Sequence, residues 1–214
     1  MRQGNENMTE ATALLLSMRT PDGISDAEFD AWIHDEHFPE RIRISGFQTT
    51  LRYENKTGTP QSLCLYDVDD ISVLRGPEYA AVSGANLSPW SRRMNAVSSA
   101  HWRFTGIRSP ESPDEPIAGS HENVVQILMV RWQGVSERRD RAHAAVVQSA
   151  VEDVPGVDRI RLFVGENGVG FDYVAVVESS IALPVDVTSA GRFDTDSDKC
   201  DFAQTFVPVA SPNS

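Results

Sequence analysis

Two stretches of the chain read as one pattern written twice. The first runs from ALLLSMR (Ala13–Arg19) to SGFQTTLRY (Ser45–Tyr53); the second from VQILMVR (Val125–Arg131) to PGVDRIRLF (Pro155–Phe163). Each is an apolar strand, an amphipathic segment, and a second strand introduced by glycine. Setting Gly46 against Gly156 gives an offset of about 110 residues, the scale of a small module. The alignment places Glu36 and His37 opposite Val146 and Val147. A copy that carries an acid and an imidazole where the other carries two valines points to one chemical site and one structural remnant.

The elements follow from local signals. Ser25 or Asp26 caps a helix beginning near Ala27, and Phe29, Trp32 and Ile33 fall at i, i+3 and i+4 on one face. Pro39, which lacks an N–H, is expected to end that helix. Phe47–Tyr53 and Leu63–Val68 read as strands, Ser88 and Pro89 open a helix through Val97, and a strand starts at His101. Residues 107–122, with three prolines and four carboxylates, have the composition of a solvated linker. The same order then recurs: a strand from Val124, a helix over Ser136–Val151, strands near Val157 and Phe171, a weak helix within Pro184–Phe193, and a strand over Phe202–Val209. The expected fold is α+β: two tandem ferredoxin-like modules whose antiparallel sheets pack face to face into one internal α+β barrel. The modules span 11–107 and 123–210, joined by the acidic linker 108–122.

With 214 residues, 40% of them apolar, the chain can bury a substantial core. A net charge of −12 without a Lys/Arg stripe excludes a phosphate-tracking surface, so no nucleic acid is expected. No run reaches membrane-spanning length, and an acidic approach to a short apolar run does not make a signal peptide, so the expected location is cytoplasmic. Two cysteines, Cys64 and Cys200, do not make a disulfide scaffold.

AEFDAWIHDEHFPER (Ala27–Arg41), with SGFQTTLRY (Ser45–Tyr53) and SPWSRRM (Ser88–Met94), resembles the dimeric α+β barrel superfamily, nearest its EthD-like branch. The resemblance covers Ala13–Gly106 well and the second half in outline. It implies a barrel around a small-molecule pocket, in a superfamily of cofactor-free oxygenases, cyclases, isomerases and lyases and of haem enzymes. It fixes the fold far better than the reaction.

On a regular helix Glu36 continues the apolar stripe and His37 lies at its edge. One reading makes His37 a general acid/base tuned by Glu36 or Asp35; the other lets both side chains reach water. His34 and His37 share a metal-compatible spacing, but no third ligand accompanies them, so no metal is expected. Arg93 would hold a substrate oxygen or pair with a surface carboxylate, and Trp90 is core or the rim of an aromatic pocket. His101 and Arg103 share one strand face, opposite Trp102 and Phe104; they point into the barrel or away from it. Tyr53 and Tyr66 are further substrate-binding candidates through their hydroxyls. No Walker loop, Rossmann fingerprint or nucleophile elbow is present, and GENGVG (Gly165–Gly170) is a hairpin turn.

These residues lead to an expected cofactor-independent enzyme of lyase or isomerase type, using acid/base chemistry on a small aromatic or polyketide-like molecule. The alternatives are a non-catalytic small-molecule binding protein and a haem-binding barrel protein. A homodimer in addition to the internal pseudo-dimer is compatible with the same reading.

Overall fold

The structure, a computed structural model, describes residues 11–55 and 57–209. The fold is α+β, with eight antiparallel strands and few helices. In chain order these are β1 (Ala13–Pro21), α1 (Asp26–Ala31), α2 (Phe38–Ile42), β2 (Leu51–Glu54), β3 (Ser62–Val68), α3 (Pro77–Ala81), α4 (Pro89–Ala96) and β4 (Ser98–Arg108). After the connecting segment come β5 (Gln126–Val135), α5 (Asp140–Val151), β6 (Val157–Glu166), β7 (Phe171–Ser179) and β8 (Phe202–Pro208). The ladder closes into a barrel in the order β1-β3-β2-β8-β5-β7-β6-β4. Two short seams complete it: Tyr53 and Glu54 against Pro208 and Val207, and Ile107 and Arg108 against Val164 and Phe163. Residue 210, the expected end of the second module, lies outside the described residues.

Strand alternation sorts the side chains. Leu14, Leu16 and Met18 of β1, Leu63 and Leu65 of β3, Phe104 of β4, Phe163 of β6 and Val174 and Val176 of β7 fill the barrel interior. Their neighbours Ala13, Leu15, Cys64, Tyr66 and Val68 face the other way, under Phe29, Trp32, Ile33 and Phe38. In the second half Leu162, Val164, Ala175 and Val177 meet Val147, Val151, Val187 and Phe193 in the same manner. Both cysteines are free and buried.

Three expectations need correction. The first helix does not end at Pro39. Residues Trp32–His37 widen into π turns, where the amide of Phe38 donates to Ile33 O, and α2 then carries the chain through Pro39 to Ile42. The missing proline donor falls where the ladder has already shifted from i−4 to i−5 partners, so it costs little. The helix expected from Ser136 begins only at Asp140, because Tyr173 Oη accepts from Arg139 N at 2.8 Å and donates to Asp140 Oδ1 at 2.8 Å. The weak helix near 184–193 is two 3₁₀ turns, Val185–Thr188 and Ala190–Phe193.

The acidic connecting segment is not a free linker. Gly119 N donates to Asp67 Oδ2 at 2.8 Å, Ile160 N to Asp114, Leu162 N to Ser112, and Ala11 N to Pro116 O. Its carboxylates and carbonyls find backbone donors at the barrel end, which composition alone does not reveal.

Candidate functional site

The cavity most relevant to chemistry lies on the outer face of β1, β3 and β4, beneath the π segment, α3 and α4. Its volume is about 510 Å³, in the range of small-molecule sites. Two features of the sequence create it. The π turns rotate the helix so that His37, not Glu36, joins the buried face; His37 is 8% exposed, while Glu36 is only partly buried. The outward face of β1 continues from Leu15 and Ser17 to Arg19, whose guanidinium is thereby carried under Trp32, 5.0 Å from the ring centroid.

The His37 imidazole stacks on Trp32 with centroids 4.4 Å apart and meets Tyr66 edge-on at 6.1 Å. Its Nδ1 is buried and has no hydrogen-bond partner among the described residues. Burial holds the His37 pKa well below the ordinary histidine value, and the charges of Arg41 and Arg19 push the same way. His101 is lowered by burial and by Arg19 and Arg103, and Tyr66 is raised well above its usual value, chiefly by burial. His37 is therefore a neutral imidazole, and Tyr66 a neutral phenol, at neutral pH.

Four arginines line this cavity: Arg19, Arg41, Arg75 and Arg103. Among the described residues, no Asp or Glu lines it. Arg19 is 6% exposed and Arg41 3%. Arg19 donates to Asn95 Oδ1 at 2.8 Å and lies 3.4 Å from His101 Nε2. Arg41 donates to Val82 O at 3.0 Å, with Glu40 no nearer than 3.6 Å. Arg103 donates to Tyr79 Oη at 2.8 Å. Arg19 has no ion-pair partner among the described residues and Arg41 only Glu40 at 3.6 Å, and a buried cation so weakly neutralised is costly unless something else compensates it. In a chain of net charge −12, this concentration of positive charge is a local feature with a physical cause to seek.

The candidates singled out by sequence divide accordingly. His37, Tyr66, His101 and Arg103 line the cavity together. Trp102 and Phe104 pack toward the barrel interior, so His101 and Arg103 point away from it, toward the helices. Glu36 does not line the cavity. Its Oε1 accepts from Ser88 Oγ at 2.5 Å and Ser91 Oγ at 3.1 Å, while Ser91 accepts from Trp32 Nε1 at 3.0 Å. That relay ties the start of α4 to the π segment, where a carboxylate also suits the helix N-terminus. Asp35 is exposed, Arg93 forms a forked pair with Glu28, and Trp90 packs partly buried against the helix-side core. Tyr53 belongs to the barrel interior, fully buried, 4.9 Å from the His121 ring centroid. Sequence reading passed over Arg19, Arg41, Arg75 and Tyr79. The first two had a signal: Arg19 continues the alternation of an apolar strand, and Arg41 lies four residues after His37. Arg75 and Tyr79 come from the irregular stretch after β3, where no periodicity marks a face.

The depressed His37 pKa has a consequence for stability. As pH falls through about 6.5, the unfolded chain takes up the proton first. Stability from neutral His37 is thus complete above that pH and drains as pH falls toward the folded value, at up to about 1.4 kcal/mol per pH unit. His34, His101, His121 and His143 are also lowered by burial and contribute with the same sign. Urea midpoints of the wild type are expected to fall between about pH 7.5 and 5.5, and to fall less steeply in His37→Phe, which keeps the stack on Trp32. Equal steepness in the two proteins would show that His37 is not held neutral.

No protein-family profile matches the chain, and no curated protein matches it in sequence. Solved structures share its architecture. An anthrone oxidase-like protein superposes with a TM-score of 0.61 over 94% of this chain and 92% of the other, at 12% identity. A chlorite dismutase variant from Candidatus Nitrospira defluvii gives 0.54 over 94% and 92%, at 9% identity. A protein from Thermus thermophilus described as heme-binding gives 0.49 over 93% and 90%, at 15% identity. The expectation of a protein without a cofactor is corrected by these neighbours. Chlorite dismutases stand among them, so the fold lends that claim no support, and haem has to be weighed against the residues present. At such identities the likeness concerns fold alone: the chain has the fold of the dimeric α+β barrel (ferredoxin-like) superfamily.

Proposed function

We propose that the chain binds a flat, largely apolar molecule carrying anionic oxygen in the cavity around His37. The observation that carries this reading is the pair of buried arginines, Arg19 and Arg41, in a cavity without a lining carboxylate. Trp32, Tyr66 and Tyr79 supply aromatic surface for a ring system, and guanidinium groups suit carboxylate or enolate oxygens. We read the chain as two diverged ferredoxin-like modules, EthD-like in the first, with this site in the first module. Phe193, Val147 and Val187 fill the helix side of the second.

Haem belongs to the same chemical class, and the residues fit it. His37 offers a neutral imidazole at the cavity wall for the iron, and Arg19, Arg41 and Arg103 offer cations for the propionates. Bound haem would supply redox and oxygen chemistry that no side chain here provides. A second reading is catalytic and rests on that same imidazole. A neutral buried base facing arginines can accept a proton from an acidic C–H or O–H while the arginines stabilise the resulting oxyanion. Isomerase- or lyase-type chemistry would follow from such a step.

Binding is tested with anthraquinone-2-carboxylate, whose fused rings match the name of the anthrone oxidase-like neighbour, and with haemin. The carboxylate is expected to quench tryptophan fluorescence saturably and to bind more weakly as salt rises. Arg41→Gln should lose at least about tenfold in affinity, as removal of a charge-assisted hydrogen bond does. A Soret band that shifts with wild type and not with His37→Phe would identify haem as the ligand. Absence of saturable binding by both probes would overturn the reading.

A further inference from the structure

A second cavity, of about 480 Å³, adjoins the first, and Leu74, Arg75 and Arg103 line both. It lies over the seam where β4 and β6 part company after the pairs Ile107–Val164 and Arg108–Phe163. Two glycines let the strands approach closely at this seam. A Cβ on Gly165 would come within 2.3 Å of Thr105 O, and one on Gly106 within 2.7 Å of Val164 O. The two cavities, one at His37 and one on the second half of the barrel, therefore meet at Leu74, Arg75 and Arg103, beside the 3₁₀ turn Ile71–Arg75.

Charge along the two cavities is uneven. The His37 end has buried Arg19 and Arg41. The junction has Arg75 and Arg103, neither in ion-pair contact with a carboxylate among the described residues. The far end is close to neutral, since Arg138 is held by Asp140 at 2.7 Å and Glu166 shares the lining. Apolar side chains stand among the polar ones along these walls: Leu15, Leu74, Ile107, Val164 and Phe171.

Resting on the binding reading above, we infer that the ligand is elongated and carries two separated anionic groups on an apolar frame. One group meets Arg19 and Arg41, and the other meets Arg75 and Arg103. Any extension beyond the second group is uncharged and lies along Ile107, Val164 and Phe171.

The test compares 2-naphthoate with 2,6-naphthalenedicarboxylate, which bears carboxylates at opposite ends of the same ring system. Wild type is expected to bind the dianion at least about tenfold more tightly. Arg75→Gln, a change at an exposed residue, should shrink that preference below about threefold. Arg43→Gln removes an exposed arginine outside both cavities and should preserve the preference. Equal binding of the two probes by wild type overturns this inference and leaves the single-anion site standing. An equal loss in Arg43→Gln and Arg75→Gln also overturns it, because bulk charge would then be the cause. Failure of both probes to bind wild type removes the parent reading and this one together.

Discussion

Replacing Arg161 by methionine is expected to cost about 3–5 kcal/mol of stability, the penalty for stripping one partner from a buried ion pair. Arg161 and Asp67 are each 1% exposed, and Glu178 is 5% exposed. Arg161 Nη1 lies 2.5 Å from Asp67 Oδ1, and Nη2 lies 3.1 Å from Glu178 Oε1. All three side chains alternate onto the interior faces of β6, β3 and β7, so they form a charged layer across one end of the barrel. The layer joins strands from both halves. The connecting segment closes over it, with Gly119 N on Asp67 and Arg159 reaching the carbonyls of Ile117 and Ala118.

Methionine would fill the volume of Arg161 and leave two buried carboxylates behind. Glu178 keeps Arg159 at 2.7 Å, and Asp67 keeps only Thr49 Oγ1 and Gly119 N. For a chain of this size the melting temperature should fall by roughly 10 °C. Arg161→Lys should recover only part, because an ammonium cannot span both carboxylates as a planar fork does. In a double-mutant cycle, Asp67→Asn with Arg161→Met should show coupling above about 1 kcal/mol. Melting of Arg161→Met at the wild-type temperature would show that the layer does not hold the barrel closed.

Much of the fold was legible because strands and helices announce themselves through period. ALLLSMR gave β1, and the run from Gln126 gave β5. Ser25, Ser88 and Pro89 marked helix starts that the structure retains: Ser25 accepts from Glu28 N, and Ser88 from Ser91 N. Failures came where local pattern and tertiary context diverge. A regular helical wheel places Glu36 on the buried stripe, whereas π turns give that place to His37 and hand Glu36 to Ser88 and Ser91. The same wheel cannot foresee that Pro39 is tolerated. Arg159 and Arg161 alternate with Ile160 and Leu162, a pattern that hid an inward charged layer in an otherwise ordinary strand. The cavity wall at Arg75 and Tyr79 comes from a segment whose geometry depends on packing over β1 and β4, and nothing in its own residues fixes which way they point. Arg19 and Arg41 lie on regular elements where a face could be read and were passed over all the same, whereas Arg75 and Tyr79 come from irregular chain that offers no face to read.

His37→Phe is expected to separate binding from proton transfer. In the catalytic reading, the neutral imidazole of His37 takes a proton from a C–H of the probe anthrone, and the bond's electron pair moves onto the ring oxygen as an enolate. Arg19 and Arg41 face that charge, and a deuteron from heavy water returns to carbon. The measurable event is deuterium entering the anthrone, followed by NMR, with no net oxidation and no other reactant. A positioned general base contributes about 10² to 10⁴ in rate. Phenylalanine keeps the stack on Trp32 and removes only the lone pair, so the variant should lose that factor and still bind anthraquinone-2-carboxylate within about threefold. Because His37 is held well below its ordinary pKa, the wild-type rate should stay level from about pH 8 through 6.5, falling only in more acidic solution. A depressed pKa also makes a weaker base. An enolate forming beside the arginines offsets their field, and the proton is best retained when that charge is present. Exchange no faster than in buffer would end the catalytic reading and leave the binding site intact. Full exchange in His37→Phe would assign the base to another group, and a loss of binding equal to the loss of exchange would make His37 a ligand-holding residue only.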